Sequence, residues 1–199
     1  MTAKTRKSVP DLKSLEDRAG KLAKDKSYLE LAIRLMIRIS ETPGLENTID
    51  SLLHNILDVI GGSNIILYYR IDDDIFYSDV YGKKMMLTAV EDPSVKKVFK
   101  TRTPAEFEGD FGDTGLMTPE FTRAYTWIFP LLVGPDLIGV IRMENLEIGM
   151  KEMSGHLPAF FSHAALILKN EILGHTRLKK ACDQLNEAKL AGALGTGTF

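Results

Sequence analysis

The sequence predicts an α/β (α+β) fold, a central antiparallel sheet with helices packed on one face and long helices at both ends. Three observations predict it. Segments 64–71, 75–80, 125–132 and 137–144 are short runs dense in β-branched and aromatic residues, the composition of a pleated, half-buried surface. They form two pairs, each joined by turn chemistry: Asp72-Asp73-Asp74 in the first, Gly134-Pro135-Asp136 in the second. Before and after these pairs, apolar residues recur at helical spacing over stretches too long for strands.

Residues 1–10 have no apolar periodicity and read as a lead. From Leu12 apolar residues alternate in steps of three and four (Leu12, Leu15, Ala19, Leu22, Leu29, Ile33, Met36), a heptad seam broken by Lys26. A helix over 12–39 is about 40 Å long, more than a compact domain needs. Past Tyr28 its apolar surface widens through Leu31, Leu35, Ile37 and Ile39, enough to serve two neighbours at once. Pro43-Gly44 breaks it. A second helix, 45–60, carries Ile49, Leu52, Leu53, Ile56 and Ile60 on one face and ends at Gly61-Gly62. After the first strand pair comes a weaker strand at 85–90. Asp92 then has the chemistry of an N-cap and Pro93 of a first helical residue, opening a short helix to 101. From 103 to 122 there are five acids and no lysine or arginine, with Gly109, Gly112 and Gly115. This stretch reads as loop, with a short strand at 105–107. The second strand pair leads into one helix from 154 to about 190 and a glycine-rich tail.

Bulk properties exclude several functions. A net charge of -2 lacks the basic surplus of a nucleic-acid binder. Apolar runs fall well short of the roughly 20 residues that cross a bilayer, so no membrane insertion is expected. The basic lead is followed by charged residues rather than an apolar block, unlike a secretory signal. The single cysteine, Cys182, forms no internal disulfide, and a cytoplasmic protein is expected.

The stretch Trp127-Ile-Phe-Pro130-Leu-Leu-Val-Gly134-Pro-Asp-Leu-Ile-Gly139-Val-Ile-Arg-Met-Glu-Asn145 resembles the penultimate hairpin of GAF domains. There, a proline closes the apolar run of the first strand and a glycine sits early in the second. Pro130 lacks a donor and suits a bulge or strand edge, and Gly139 is expected to let a helix pack close against the sheet. The helix and strand over 49–71 fit the family's opening, and 92–108 its middle, so the resemblance spans about 28–172. It divides the chain into a lead with a coiled-coil-like helix (1–27), a GAF domain (28–172), and a C-terminal signalling helix with a flexible tail (173–199). It implies a sheet with helices on one face and a ligand pocket on the other, capped by about 82–122. It also implies a sensory or dimerising role, commonly ahead of a histidine kinase or a cyclic-dinucleotide enzyme in two-component and related signal transduction. Three chemistries known on this fold lack their residues: the cyclic-nucleotide signature is not recognisable, and neither a bilin-attaching nor a catalytic cysteine lies in the pocket region.

The remaining chemistry is sparse. His156 and His163, seven apart, share a helix face but stand about 10 Å from each other, too far to chelate one metal. The aspartates 72–74 lack the glycine and distal glutamate of a calcium loop and read as a solvated turn. No metal, cofactor or catalysis is expected. Strand alternation puts Ile138, Val140, Arg142 and Glu144 on one face, and Arg123, Tyr125, Trp127 and Phe129 on one face of the preceding strand. Their charged tips suggest the side away from the helices, although core positions for Trp127 and Phe129 compete nearly evenly. The expected pocket residues are Tyr68, Phe107, Arg123, Trp127, Phe129 and Arg142. The two arginines suit a carboxylate or phosphate, but the five acids of the cap repel an anion, so a small, largely neutral ligand or none is expected. The expected dimer interface uses Leu22, Leu29, Ile33 and Met36 of the first helix with Leu168, Ile172, Leu178 and Leu185 of the last. Two first and two last helices would form a four-helix bundle in a homodimer that passes signals through its terminal helices. The alternative is a purely structural dimerisation module whose pocket is filled by its own side chains.

Overall fold

The computed structural model describes residues 12–110, 123–146 and 153–195, without the side chains of 109, 110, 123, 124 and 190–195. In order, the elements are α1 (Leu12–Ser40), α2 (Leu45–Ile60), β1 (Asn64–Ile71), β2 (Asp74–Asp79) and β3 (Lys84–Leu87). Then come α3 (Pro93–Thr101), β4 (Ala105–Asp110), β5 (Arg123–Val133), β6 (Asp136–Leu146) and α4 (Leu157–Gly195). The strands form one antiparallel sheet in the order β3-β2-β1-β6-β5-β4. The acidic stretch holds more strand than its glycines suggest, since β4 runs to Asp110; residues 111–122 lie outside the described part.

Two apolar layers sandwich the sheet. On one face α2 and α4 pack over Ile65, Leu67, Tyr69, Trp127, Phe129, Ile141 and Met143, with α1 packed in turn on those two helices. On the other, α3 covers a smaller cluster of Ile66, Tyr68, Ile128 and Val140, contributing Val95 and Val98. α3 is built as its sequence predicts: the Asp92 carboxylate accepts from the backbone N–H of Ser94 (2.7 Å) and Val95 (3.1 Å), with Pro93 at the first position. The two faces divide β1 cleanly because neighbouring side chains point opposite ways.

The hairpin of β5 and β6 departs from simple alternation. Val133 pairs with Asp136 across Gly134 and Pro135, and Gly134 takes φ 60°, the backbone that this tight turn requires at its first central residue. The register then slips between Leu131 and Leu132. Ile138 consequently joins the helix-side cluster while Leu137 and Val140 lie with the α3 side, so Ile138 does not share the face of Val140 and Arg142 as strict alternation predicts. Gly139 is needed for a reason other than helix packing. A Cβ there would stand 2.4 Å from the carbonyl oxygen of Tyr68, so the glycine makes room for the adjoining strand's backbone. Pro130 lies beyond the end of β4, where β5 no longer has a neighbour on that side and a missing donor costs nothing.

α1 and α4 run side by side in the same direction. The Tyr28 and His156 rings are 5.7 Å apart, Ser40 Oγ and His163 Nε2 share a hydrogen bond of 3.0 Å, and the Gly44 N–H donates to Glu171 at 3.0 Å. Residues 12–24 therefore extend beyond the start of α4, and the part of α4 past 172 extends beyond the end of α1. That second extension first flanks β1–β3: a cleft of about 570 Å³ has Tyr69, Phe76 and Met86 on one side and His175, Lys179 and Asp183 on the other.

Candidate functional site

The α3 side of the sheet is the side on which charged groups converge. Arg142, in the middle of β6, donates through Nη1 to the second oxygen of Asp92 and through Nη2 to Glu144 at 2.7 Å. Asp92 thus caps α3 with one oxygen and holds Arg142 with the other, fastening helix to sheet. Glu144 also accepts from Asn64 Nδ2 at 2.9 Å. Two carboxylates on one guanidinium leave no net positive charge to attract an anion. The Arg142 Nε–H is buried and makes no hydrogen bond among the described residues.

Tyr68 lies in the same patch, its ring edge-on to Tyr77 at 5.6 Å. Burial, followed by the charge of Asp92, pushes the Tyr68 phenol up from its ordinary value, with the Arg142 guanidinium opposing. Tyr77 is pushed up much further, first by burial and then by donating its O–H to Asp79 at 2.9 Å. The other Asp79 oxygen accepts from the N–H of Tyr81 and Lys83, both at 3.0 Å, so this buried carboxylate is committed to holding the β2–β3 turn.

The residues expected at the pocket are split between the two faces. Tyr68 and Arg142 come together on the α3 side. Phe107 is 40% exposed and lies beside α3 at the sheet's edge, bordering a small cleft with Val98 and Ala105. Trp127 and Phe129 face the other way: Phe129 stacks on Phe161 of α4 at 4.7 Å, and Trp127 meets Phe129 edge-on at 6.3 Å. Their expected placement away from the helices is corrected: large aromatic rings follow the larger apolar layer, which α4 supplies. Arg123 opens β5, with its side chain outside the described ones. The partners of Arg142 were missed. Asp92 was legible only as a cap, and Glu144 only as a residue sharing Arg142's face. Tyr77 and Asp79, two apart on one strand, carried a signal that alternation alone would have revealed.

The expected interface is also divided. Leu22, Leu29, Ile33, Leu178 and Leu185 are exposed, Leu22 by 69%. Leu168 is buried completely, and Met36 and Ile172 pack half-buried against the same core, so all three contribute to the core of the domain itself. On a helix seated on a sheet, the inward stripe of Leu157, Phe161, Ala164 and Leu168 takes precedence over any outward seam. Ile37, Leu166 and Leu173 are exposed apolar positions that the seam did not include. Within one chain, Leu12–Leu22 and Leu178–Leu185 lie at opposite ends of the α1–α4 pair.

No group of histidine, cysteine and carboxylate side chains among the described residues is arranged to hold a metal ion. No helix among them is long and apolar enough to cross a membrane. No family model matches the sequence, and no curated protein matches it. Solved structures do match the fold. The GAF domain of an Acinetobacter phosphoenolpyruvate-protein phosphotransferase superposes with a TM-score of 0.57 at 10% identity, over 75% of this chain and 98% of that one. The A. aeolicus nlh2 GAF domain in an inactive state gives 0.55 at 13% identity, over 73% and 97%. Free methionine-R-sulfoxide reductase from Neisseria meningitidis, in complex with its substrate, gives 0.53 at 9% identity, over 84% and 96%. Likeness at these identities establishes the fold alone.

Proposed function

We propose, from the GAF fold that the chain has, that it is a regulatory module acting as a parallel homodimer, with α4 carrying its state outward to a signalling partner. The observation that supports this reading is the stripe of Leu15, Leu22, Leu29, Ile33 and Ile37. It runs along the outer side of α1, while Ala32, Leu35 and Ile39 are buried against the domain. One helix thus presents two apolar faces, and only one has a partner among the described residues. Leucines seven apart favour parallel two-stranded packing. A parallel seam brings Asp25 toward Glu30 of the other copy, but each has an alternative: Asp25 lies 3.5 Å from His156, and Glu30 lies 3.7 Å from Lys26. Exposed Leu166 and Leu173 on the adjacent α4 would widen the contact. Sedimentation equilibrium at micromolar concentration tests this: a dimer is expected, reduced to monomer when Leu22, Leu29 and Ile33 are all changed to Asp. A wild-type monomer of 22.2 kDa overturns it.

A second reading concerns a ligand. The buried, unpaired Nε–H of Arg142, beside the Tyr68 phenol and two carboxylates, favours a neutral, hydrogen-bonding small molecule rather than an anion. A bound ligand stabilises the native state by mass action. A thermal-shift screen of neutral metabolites is therefore expected to find a stabiliser whose effect disappears in Arg142→Leu, and a screen without one leaves the structural dimerisation module as the better reading. Catalysis of the sulfoxide-reductase kind is not part of the proposal, since the chain's single cysteine stands exposed on α4.

A further inference from the structure

At the far end of the α3 layer, away from Arg142, an open groove of about 760 Å³ separates the C-terminal half of α3 from the end of β1 and the β5–β6 turn. Its floor is apolar, made by Ile75, Phe99 and Leu137, all half-buried. Its rim carries four exposed cations: Arg70 from β1, Lys96 and Lys100 from α3, and Arg102 just after it. The acids lining it are Asp72 and Asp136, and Asp136 is already held by Lys169 at 2.7 Å. Four cations against two acids make this groove basic on a chain whose net charge is -2.

Cations in the last turn of a helix offset its negative end, which accounts for Lys100. It does not account for Arg70, which comes from a strand and converges on the same opening, nor for the half-buried apolar floor between them. Arg102 is fixed in place by donating to the Pro135 carbonyl at 2.6 Å.

From this charge complementarity we propose that the groove docks an acidic segment of a partner protein, with its carboxylates on the Arg70–Lys96–Lys100–Arg102 rim and one apolar side chain on Phe99. An open groove edged by exposed lysines suits an extended peptide better than a small molecule, which normally has most of its surface enclosed.

The test is a fluorescence-anisotropy titration of the full chain with a labelled peptide in which glutamates flank a single phenylalanine. Saturable binding is expected, weakened about 10-fold or more by K96E/K100E and unchanged by K179E on α4, with steep loss as salt rises. Replacing the peptide's phenylalanine by serine is expected to weaken binding about 5-fold through loss of the floor contact. The serine peptide keeps the protein unaltered, so this arm stands even where a charge-reversed variant folds poorly. Absence of saturation, equal binding by K96E/K100E, or equal binding of the serine peptide overturns the proposal. So does complete displacement of the peptide by equimolar phenyl phosphate or oligouridylate, which would assign the groove to small anions or nucleic acid.

Discussion

Asp92 performs two jobs with two oxygens, and substitutions can separate them. Asp92→Asn keeps an oxygen for the Ser94 and Val95 amides but loses the charge on Arg142, whereas Asp92→Ala loses both. Removing a cap alone costs about 1 kcal/mol. Urea denaturation is therefore expected to rank wild type above Asp92→Asn, and Asp92→Ala lowest, by about 2–3 kcal/mol in total. Equal stability of wild type and Asp92→Asn would show that the ion pair with Arg142 contributes nothing, and equal stability of the two variants would show the same of the cap. Gly139→Ala is a sharper case, since its Cβ would meet the Tyr68 carbonyl oxygen and the Tyr69 Cα, both backbone. A loss of about 3 kcal/mol is expected by the same measurement. The tyrosines make a pH statement. Burial raises Tyr68, Tyr69 and Tyr77, so the native state favours their neutral forms. Their stabilising effect is complete below the unfolded phenol value of about 10 and is lost as pH climbs toward the raised native values. In an alkaline titration read at 295 nm, these three are expected to ionise late and together with unfolding. Tyr77→Phe is expected to remove one late component.

Among the elements, α1 shows how one sequence serves two purposes and how far each was legible. Its length, its seam and the widening after Tyr28 are all visible as periodicity, and the helix runs almost as predicted, to Ser40. Which apolar residues face inward is a tertiary choice, made by α2 and α4, and periodicity does not decide it for Met36. The stability consequence is direct. Leu35→Ala, at a fully buried position, is expected to cost about 3 kcal/mol. Leu22→Ala is expected to change the isolated protomer by less than about 0.5 kcal/mol while weakening self-association. Unfolding at low and high protein concentration separates the two effects, and a large loss for Leu22→Ala in the dilute monomer would contradict the assignment of faces. β5 and β6 were legible as strands and as a hairpin, including the Gly134 turn. Their faces were only partly legible, because the slip near Leu131 and Leu132 reverses the alternation for Ile138 without any residue that announces it. The site was less legible than the fold. Tyr68 and Arg142 lie together because β1 and β6 are neighbours, a pairing between segments some seventy residues apart that local patterns do not encode.

At the scale of the molecule, the parallel course of α1 and α4 determines what a dimer can transmit. Residues 12–24 project at one end of the domain and the part of α4 past 172 at the other, so in the proposed relay α1 is the incoming helix and α4 the outgoing one. In a parallel dimer both outgoing helices leave on the same side, where a partner can sense a shift or rotation between them. An antiparallel dimer sends them to opposite sides and leaves nothing to compare. The two arrangements differ measurably along the α1 seam. In a parallel pair, equivalent residues lie level with each other, so two copies of Leu22 are separated by about one interhelical distance, 8–10 Å. In an antiparallel pair centred near residue 31, the same two copies are displaced along the axis by about 27 Å, at a rise of roughly 1.5 Å per residue. Replacing Cys182 by Ala and Leu22 by Cys leaves one site for a spin label. Double electron–electron resonance is expected to give a short, narrow distance distribution well under about 27 Å, allowing for the length of the labels. The seam still holds Leu15, Leu29, Ile33 and Ile37 in this variant, so association is expected to survive the single change. A distribution centred at or beyond the antiparallel spacing would rule out the parallel relay even if the protein were a dimer. It would leave the exposed half of α4 without a symmetric counterpart to act on.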